Sequence, residues 1–244
     1  MFLRFLEMFW QYVMKTIKQT WRILVLALAV ECGFFIDLQA QTAQQWRDSL
    51  EVINKKLLLK PNSIELHLNK AAVNLQLQQW EYAANEYTDI LKVDSLNLSA
   101  LYFRAFANNN LRRYTLAKND YEEILKYSPR NMEARLGLAY TYMRMGQSAD
   151  AMDQMNRSIE QNPDSATAYA ARAGLERELK QYPAALMDWN EATRLAPGNT
   201  DYAVSKVDIL LLLGKKSMAR QELDALVRRG VPKGLLIEWF RRCK

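Results

Sequence analysis

The chain has 244 residues, half of them hydrophobic and a quarter charged, with only 8 Gly and 6 Pro. That balance excludes a disordered or low-complexity chain and fits a folded helical protein. The formal net charge is +6, and nine Lys or Arg against three acids between Gly214 and Lys244 account for all of it. The rest is near neutral and lacks the cationic surface that nucleic-acid binding demands.

Residues 1–40 stand apart from the rest of the chain. Met14-Lys15-Thr16-Ile17-Lys18 is a basic lead-in, and Ile23 to Ile36 is an apolar run broken by Glu31. Leu38-Gln39-Ala40 offers a cleavage site before Gln41. This order is that of a secretory signal peptide and places the remainder in the periplasm or outside the cell. The apolar run of 14 residues falls short of the ~20 that a membrane span needs. An uncleaved inner-membrane anchor is the alternative reading, because Glu31 and Leu38 suit a signal peptide poorly. The aromatic stretch Met1–Val13 is a poor signal start, so translation is expected to begin at Met14 rather than Met1. Cys32 follows Glu31, which argues against lipid attachment. With residues 1–40 removed, Cys243 is the lone cysteine, which forbids an internal disulfide and permits a linked dimer. The expected state is a monomer or weak dimer.

Gln45 to Lys60 reads as one amphipathic helix closed by Pro61. Its Trp46, Ser49 and Ile53 fall 34 residues before Trp80, Ala83 and Tyr87. Residues 45–61 are therefore a half-repeat. Five full repeats come next, at 64–97, 98–131, 132–165, 166–199 and 200–233. Each is two amphipathic helices joined by a short turn, as at Gly146-Gln147. Ser63, Asn97, Asn131, Ser165 and Asn199 precede the repeats, and their side chains suit helix N-caps. Pro129, Pro163 and Pro197 stop second helices. Ala71, Ala105, Ala139, Ala173 and Val207 form one small row, and Ala83, Ala117, Ala151, Ala185 and Ala219 another. Beside them runs a large row of Tyr87, Tyr121, Met155, Trp189 and Leu223, so small faces large between helices. A last helix at 235–242 is expected to cover the fifth repeat with Leu236, Ile237, Trp239 and Phe240.

Comparison among the repeats exposes a paired variation. The seventh place is Lys70, Arg104, Leu138, Arg172 and Lys206, and the twenty-third is Glu86, Asp120, Gln154, Asp188 and Glu222. The third repeat loses both charges together. A lone charge at a helix contact is costly, so the two places are expected to touch as a salt bridge in the other four. Charged ends more than ~6 Å apart would contradict this.

No catalytic constellation is legible. There is no glycine-rich phosphate loop, Cys-x-x-Cys pair or HExxH helix. The single histidine, His67, has no Cys or His neighbour for a metal site and reads as a helix residue without a special role. No cofactor, no metal and no enzymatic activity are expected.

The 34-residue period, the paired alanines and the closing proline together resemble the tetratricopeptide repeat. The resemblance covers Ile64 to Val231 and the half-repeat before it. The aromatic usual at the fourth place is kept only by Tyr169, with His67, Leu101, Arg135 and Ala203 elsewhere, and Ser95 and Val231 replace the closing proline. The resemblance implies an all-α right-handed solenoid whose first helices line a concave groove that holds an extended peptide or a partner helix. Carried over by place, the inward residues of interest are Tyr102, Phe106, Asn109 and Asn110 in the second repeat. Leu136, Tyr140, Met143 and Arg144 follow in the third, and Arg177 in the fourth. Tyr102 and Tyr140 are expected to share one exposed apolar patch, with Phe106 partly buried. The Lys/Asn/Arg set that clamps a C-terminal carboxylate in some members is absent. The implied function is a non-enzymatic scaffold of the bacterial envelope that binds a peptide or protein; the alternative is an accessory protein binding a glycan or other small ligand on the aromatic patch. The basic C-terminal end offers a second contact to a membrane surface or another anionic partner.

Overall fold

The computed structural model describes residues 43–244. The expectations for residues 1–40, with Cys32 and the start at Met14, lie outside the described residues. Among the described residues there are twelve α-helices, one short 3-10 turn and no strand. The first helix is α1 (Ala43–Leu59). Five hairpins follow: α2 (Ile64–Gln76) with α3 (Trp80–Val93), α4 (Leu98–Asn110) with α5 (Tyr114–Tyr127), and α6 (Met132–Arg144) with α7 (Ser148–Gln161). The last two are α8 (Ala166–Glu178) with α9 (Tyr182–Leu195) and α10 (Thr200–Leu212) with α11 (Lys216–Arg228). Lys233–Leu236 form the 3-10 turn, and α12 (Ile237–Arg242) ends the described chain. Each helix packs against its neighbours in sequence, which makes the stack an α-solenoid.

The first helices start where the sequence places them. The side chains of Ser63, Asn97, Asn131, Ser165 and Asn199 accept the amides of Leu66, Ala100, Ala134, Ala168 and Tyr202. Their ends are set by the backbone. Gln78, Arg112, Gly146, Lys180 and Gly214 all have positive φ. The next residue's amide then reaches back to the last turn, as in Gln79 to Asn74 at 2.8 Å and Gln181 to Glu176 at 2.7 Å. This is the left-handed helix stop that glycine favours, met here three times without glycine. The second helices end at one place with or without the proline: Val93 precedes Ser95 as Tyr127 precedes Pro129. In the fifth repeat, Gly230 at φ 94° ends α11 instead.

Both small rows are fully buried, and the large row from Tyr87 to Leu223 is buried with them. The contact is close enough to dictate residue size. A Cβ on Gly137 would lie 2.5 Å from Cζ of Tyr121, so the third repeat carries glycine where the preceding tyrosine ring sits.

All four expected ion pairs form. Lys70 Nζ lies 2.7 Å from Glu86, Arg172 Nε 2.6 Å from Asp188, and Lys206 Nζ 2.5 Å from Glu222. Arg104 forks onto both oxygens of Asp120 at 2.9 and 2.6 Å. The two arginines also reach the preceding repeat, at Thr88 Oγ1 (3.4 Å) and Asn156 Oδ1 (2.9 Å). In the third repeat Arg135, one turn before the empty place, donates to Gln154 at 2.9 Å.

The C-terminal end departs from expectation. Leu236 and Phe240 are buried and Trp239 is half-buried, but Ile237 is 48% exposed, because the segment enters α12 through a 3-10 turn that rotates Ile237 outward. Trp239 Nε1 and Arg242 instead anchor α12 on Asp208 at 3.0 and 2.7 Å. Arg241 lies 34 residues after Val207, so an exposed arginine occupies the small row's next place. Cys243 is free and half-buried against this cluster.

Candidate functional site

The candidate residues sit on the first helices α4, α6 and α8. Tyr140, Met143 and Arg144 are half-buried on α6. Arg144 Nη2 donates to the Tyr114 hydroxyl at 2.8 Å and Nη1 to the Tyr140 hydroxyl at 3.3 Å. Its guanidinium also lies over both rings, 5.5 and 5.9 Å from their centroids. Burial raises the Tyr140 hydroxyl above its ordinary pKa, and the Arg144 charge opposes the rise. The cation is thus held between two aromatic rings that span consecutive repeats.

Phe106 is half-buried, and Trp80 meets its ring edge-on at 5.8 Å. Asn110 is exposed, with its amide donating to the Phe106 carbonyl at 2.9 Å. Two candidates lie deeper than expected. Leu136 is only 3% exposed. Asn109 is buried and its Nδ2 donates to Thr141 Oγ1 at 3.0 Å, joining α4 directly to α6. Tyr102 is half-buried, its ring edge-on to Tyr121 at 5.7 Å and to Phe103 at 5.3 Å. Burial drives its hydroxyl pKa up, and the nearby Glu133 adds to the rise. No direct contact links Tyr102 to Tyr140 among the described interactions, though both rings act on the buried Tyr121 hydroxyl, and Phe106, Tyr140, Met143 and Arg144 are each half-buried. Arg177 is half-buried on α8, and among the described interactions none joins it to Tyr140 or Arg144.

Tyr114, which holds Arg144, and Trp80, which meets Phe106, lie outside the candidates that first-helix places supply. They stand at the first position of second helices, where Tyr182 also sits. The recurrence of aromatics at that place was the available signal; attention to first helices alone passes over it.

The family profile described as tetratricopeptide repeat matches residues 111–175, which span the end of the second repeat to the first helix of the fourth. A search of curated proteins finds no match. Among solved structures, a tetratricopeptide repeat protein from Parabacteroides merdae ATCC 43184 superposes with a TM-score of 0.64 at 20% identity, over 78% of this chain and 75% of that one. A thermophilic TPR protein of Thermus thermophilus gives 0.58 at 15% identity, over 74% and 98%. YrrB, described as a TPR protein with an unusual peptide-binding site, gives 0.50 at 19% identity, over 72% and 90%. These likenesses carry the fold, a tetratricopeptide-type α-solenoid, and the family match makes residues 111–175 tetratricopeptide repeat.

Proposed function

We propose that this chain is a non-enzymatic scaffold of the bacterial cell envelope that holds a peptide segment or protein along the face of its first helices. The observation that carries the reading is Arg144, fixed between Tyr114 and Tyr140 next to the half-buried Met143. A cation and aromatic rings held rigid before a partner arrives lose little freedom on binding, which is the make-up of an interaction hot spot. The tetratricopeptide fold supports an interaction role in general, and YrrB supplies an instance described as peptide-binding. Export is supported by the basic, apolar and small-residue order of residues 15–40. A second contact to an anionic surface is supported at the C-terminal end. There Glu222, Asp224 and Glu238 are already paired with Lys206, Arg220 and Arg241, and Leu235 is 70% exposed beside Lys233.

Capture from extract of the source cells tests the reading, with the full chain beside an Arg144→Ala/Tyr140→Ala variant of unchanged helicity and Tm. A protein retained by the parent and lost by the variant is the expected result. Equal retention by both contradicts the first-helix site. Retention of no protein, with binding of sugars by the parent alone, would replace the protein partner with a glycan.

A further inference from the structure

Three backbone carbonyls at one place in the repeat, those of Pro61, Pro129 and Pro197, each accept a side-chain donor. Pro129 takes Arg135 Nη2 at 2.5 Å, Pro61 takes His67 Nε2 at 2.9 Å, and Pro197 takes Arg229 Nη1. His67 and Arg135 stand at the fourth place of the first and third repeats. In the fifth, that place is Ala203, and Arg229 comes in from beyond the end of α11. The match extends further. Arg135 also donates to Gln154, and His67 Nδ1 lies 2.6 Å from Glu86 Oε2, with Glu86 and Gln154 both at the twenty-third place. An imidazole in the first repeat therefore does what a guanidinium does in the third.

Both nitrogens of His67 face groups that only accept: a carboxylate engaged with Lys70 and a peptide carbonyl. A neutral imidazole has one N–H and one lone pair, so it satisfies one of these and turns its lone pair on the other. Only the imidazolium donates at both ends. The charged groups acting on the ring are Glu86 from α3 and Lys70 from its own helix; the α1–α2 turn contributes the uncharged Pro61 carbonyl.

We propose that His67 is a titratable clasp: as imidazolium it fastens the Pro61 turn, and α1 with it, to the first repeat, and on losing its proton it loosens α1. The Arg135 and Arg229 clasps keep their charge at every physiological pH, so of the three clasps only the one at the N-terminal end responds to protons. Burial lowers the His67 pKa, but the bonds to Glu86 and Pro61 outweigh it and the net direction is upward from 6.5. A raised folded pKa gives stability that is complete below 6.5 and disappears as pH rises through the folded value.

The chain's single histidine gives one unambiguous ring resonance. In the full chain, its Cε1–H shift is followed by NMR from pH 5 to pH 9, with amide-exchange protection of α1 normalised to that of α5. The expected midpoint lies above 6.5, and α1 protection falls across it by about tenfold for each unit of elevation. His67→Arg, which copies the third repeat, should hold that protection through the range, and Glu86→Gln should lower the midpoint. A midpoint at or below 6.5, or α1 protection that is flat across it, overturns the clasp.

Discussion

Glu176 is a carboxylate at a place where the first two repeats carry the buried amides Asn74 and Asn108. It is 7% exposed, and its Oε2 has no hydrogen-bond partner. Burial raises its pKa from 4.5 to about 7; the Asp188 carboxylate adds to the rise and Arg172 opposes it. The folded chain therefore keeps a proton that the unfolded chain releases, and stability falls as pH climbs from about 4.5 to about 7. Glu176→Gln should remove that slope in urea unfolding, leave stability at pH 4 close to the parent's, and add about 2 kcal/mol at pH 8. A variant with the parent's slope would show that Glu176 ionises as it does in water. Little at this scale was legible beforehand. His67, Arg135 and Glu176 break the repeat's pattern, and periodicity shows a break without showing what the new side chain reaches. Each reaches a group from another helix or turn, and that distance exists only in the fold.

The paired charges belong to the helix hairpin. Arg104 forks onto Asp120, a buried carboxylate, while the third repeat keeps Leu138 and Gln154 at the same places. Arg104→Leu alone strands the carboxylate and should cost about 3 kcal/mol. Adding Asp120→Gln should restore part of the loss, for a coupling of about 1 kcal/mol or more in a double-mutant cycle. Additive losses would mean that the two charges act separately. The pairing was readable because two places vary together across five copies in one chain. Helix starts were readable for a different reason: Ser and Asn act locally, through their own backbone. The helix stops at Gln78, Arg112 and Lys180 were not, because a left-handed turn without glycine leaves no mark in the sequence. The 3-10 entry to α12 is a similar case, and it turns Ile237 to the surface.

At the scale of the whole molecule, period and row composition carry the architecture, since each repeat buries its alanine and aromatic rows only against its neighbours. The proposed interaction face rests on first-helix places. First-helix places gave Phe106, Tyr140, Met143 and Arg144, but the depth of Leu136 and Asn109 depended on how closely α4 and α6 approach. Tyr114 comes from a second helix and joins the proposed face by accepting from Arg144. The most direct measurement is photocrosslinking in the source cells, with a photoreactive residue at Met143 on the first-helix face or at the exposed Glu160 on α7. The expected result is a discrete protein adduct from position 143 that is absent from position 160 and is lost in the Arg144→Ala/Tyr140→Ala background. Adducts from position 160 alone, or from position 143 regardless of that background, would contradict a first-helix binding face.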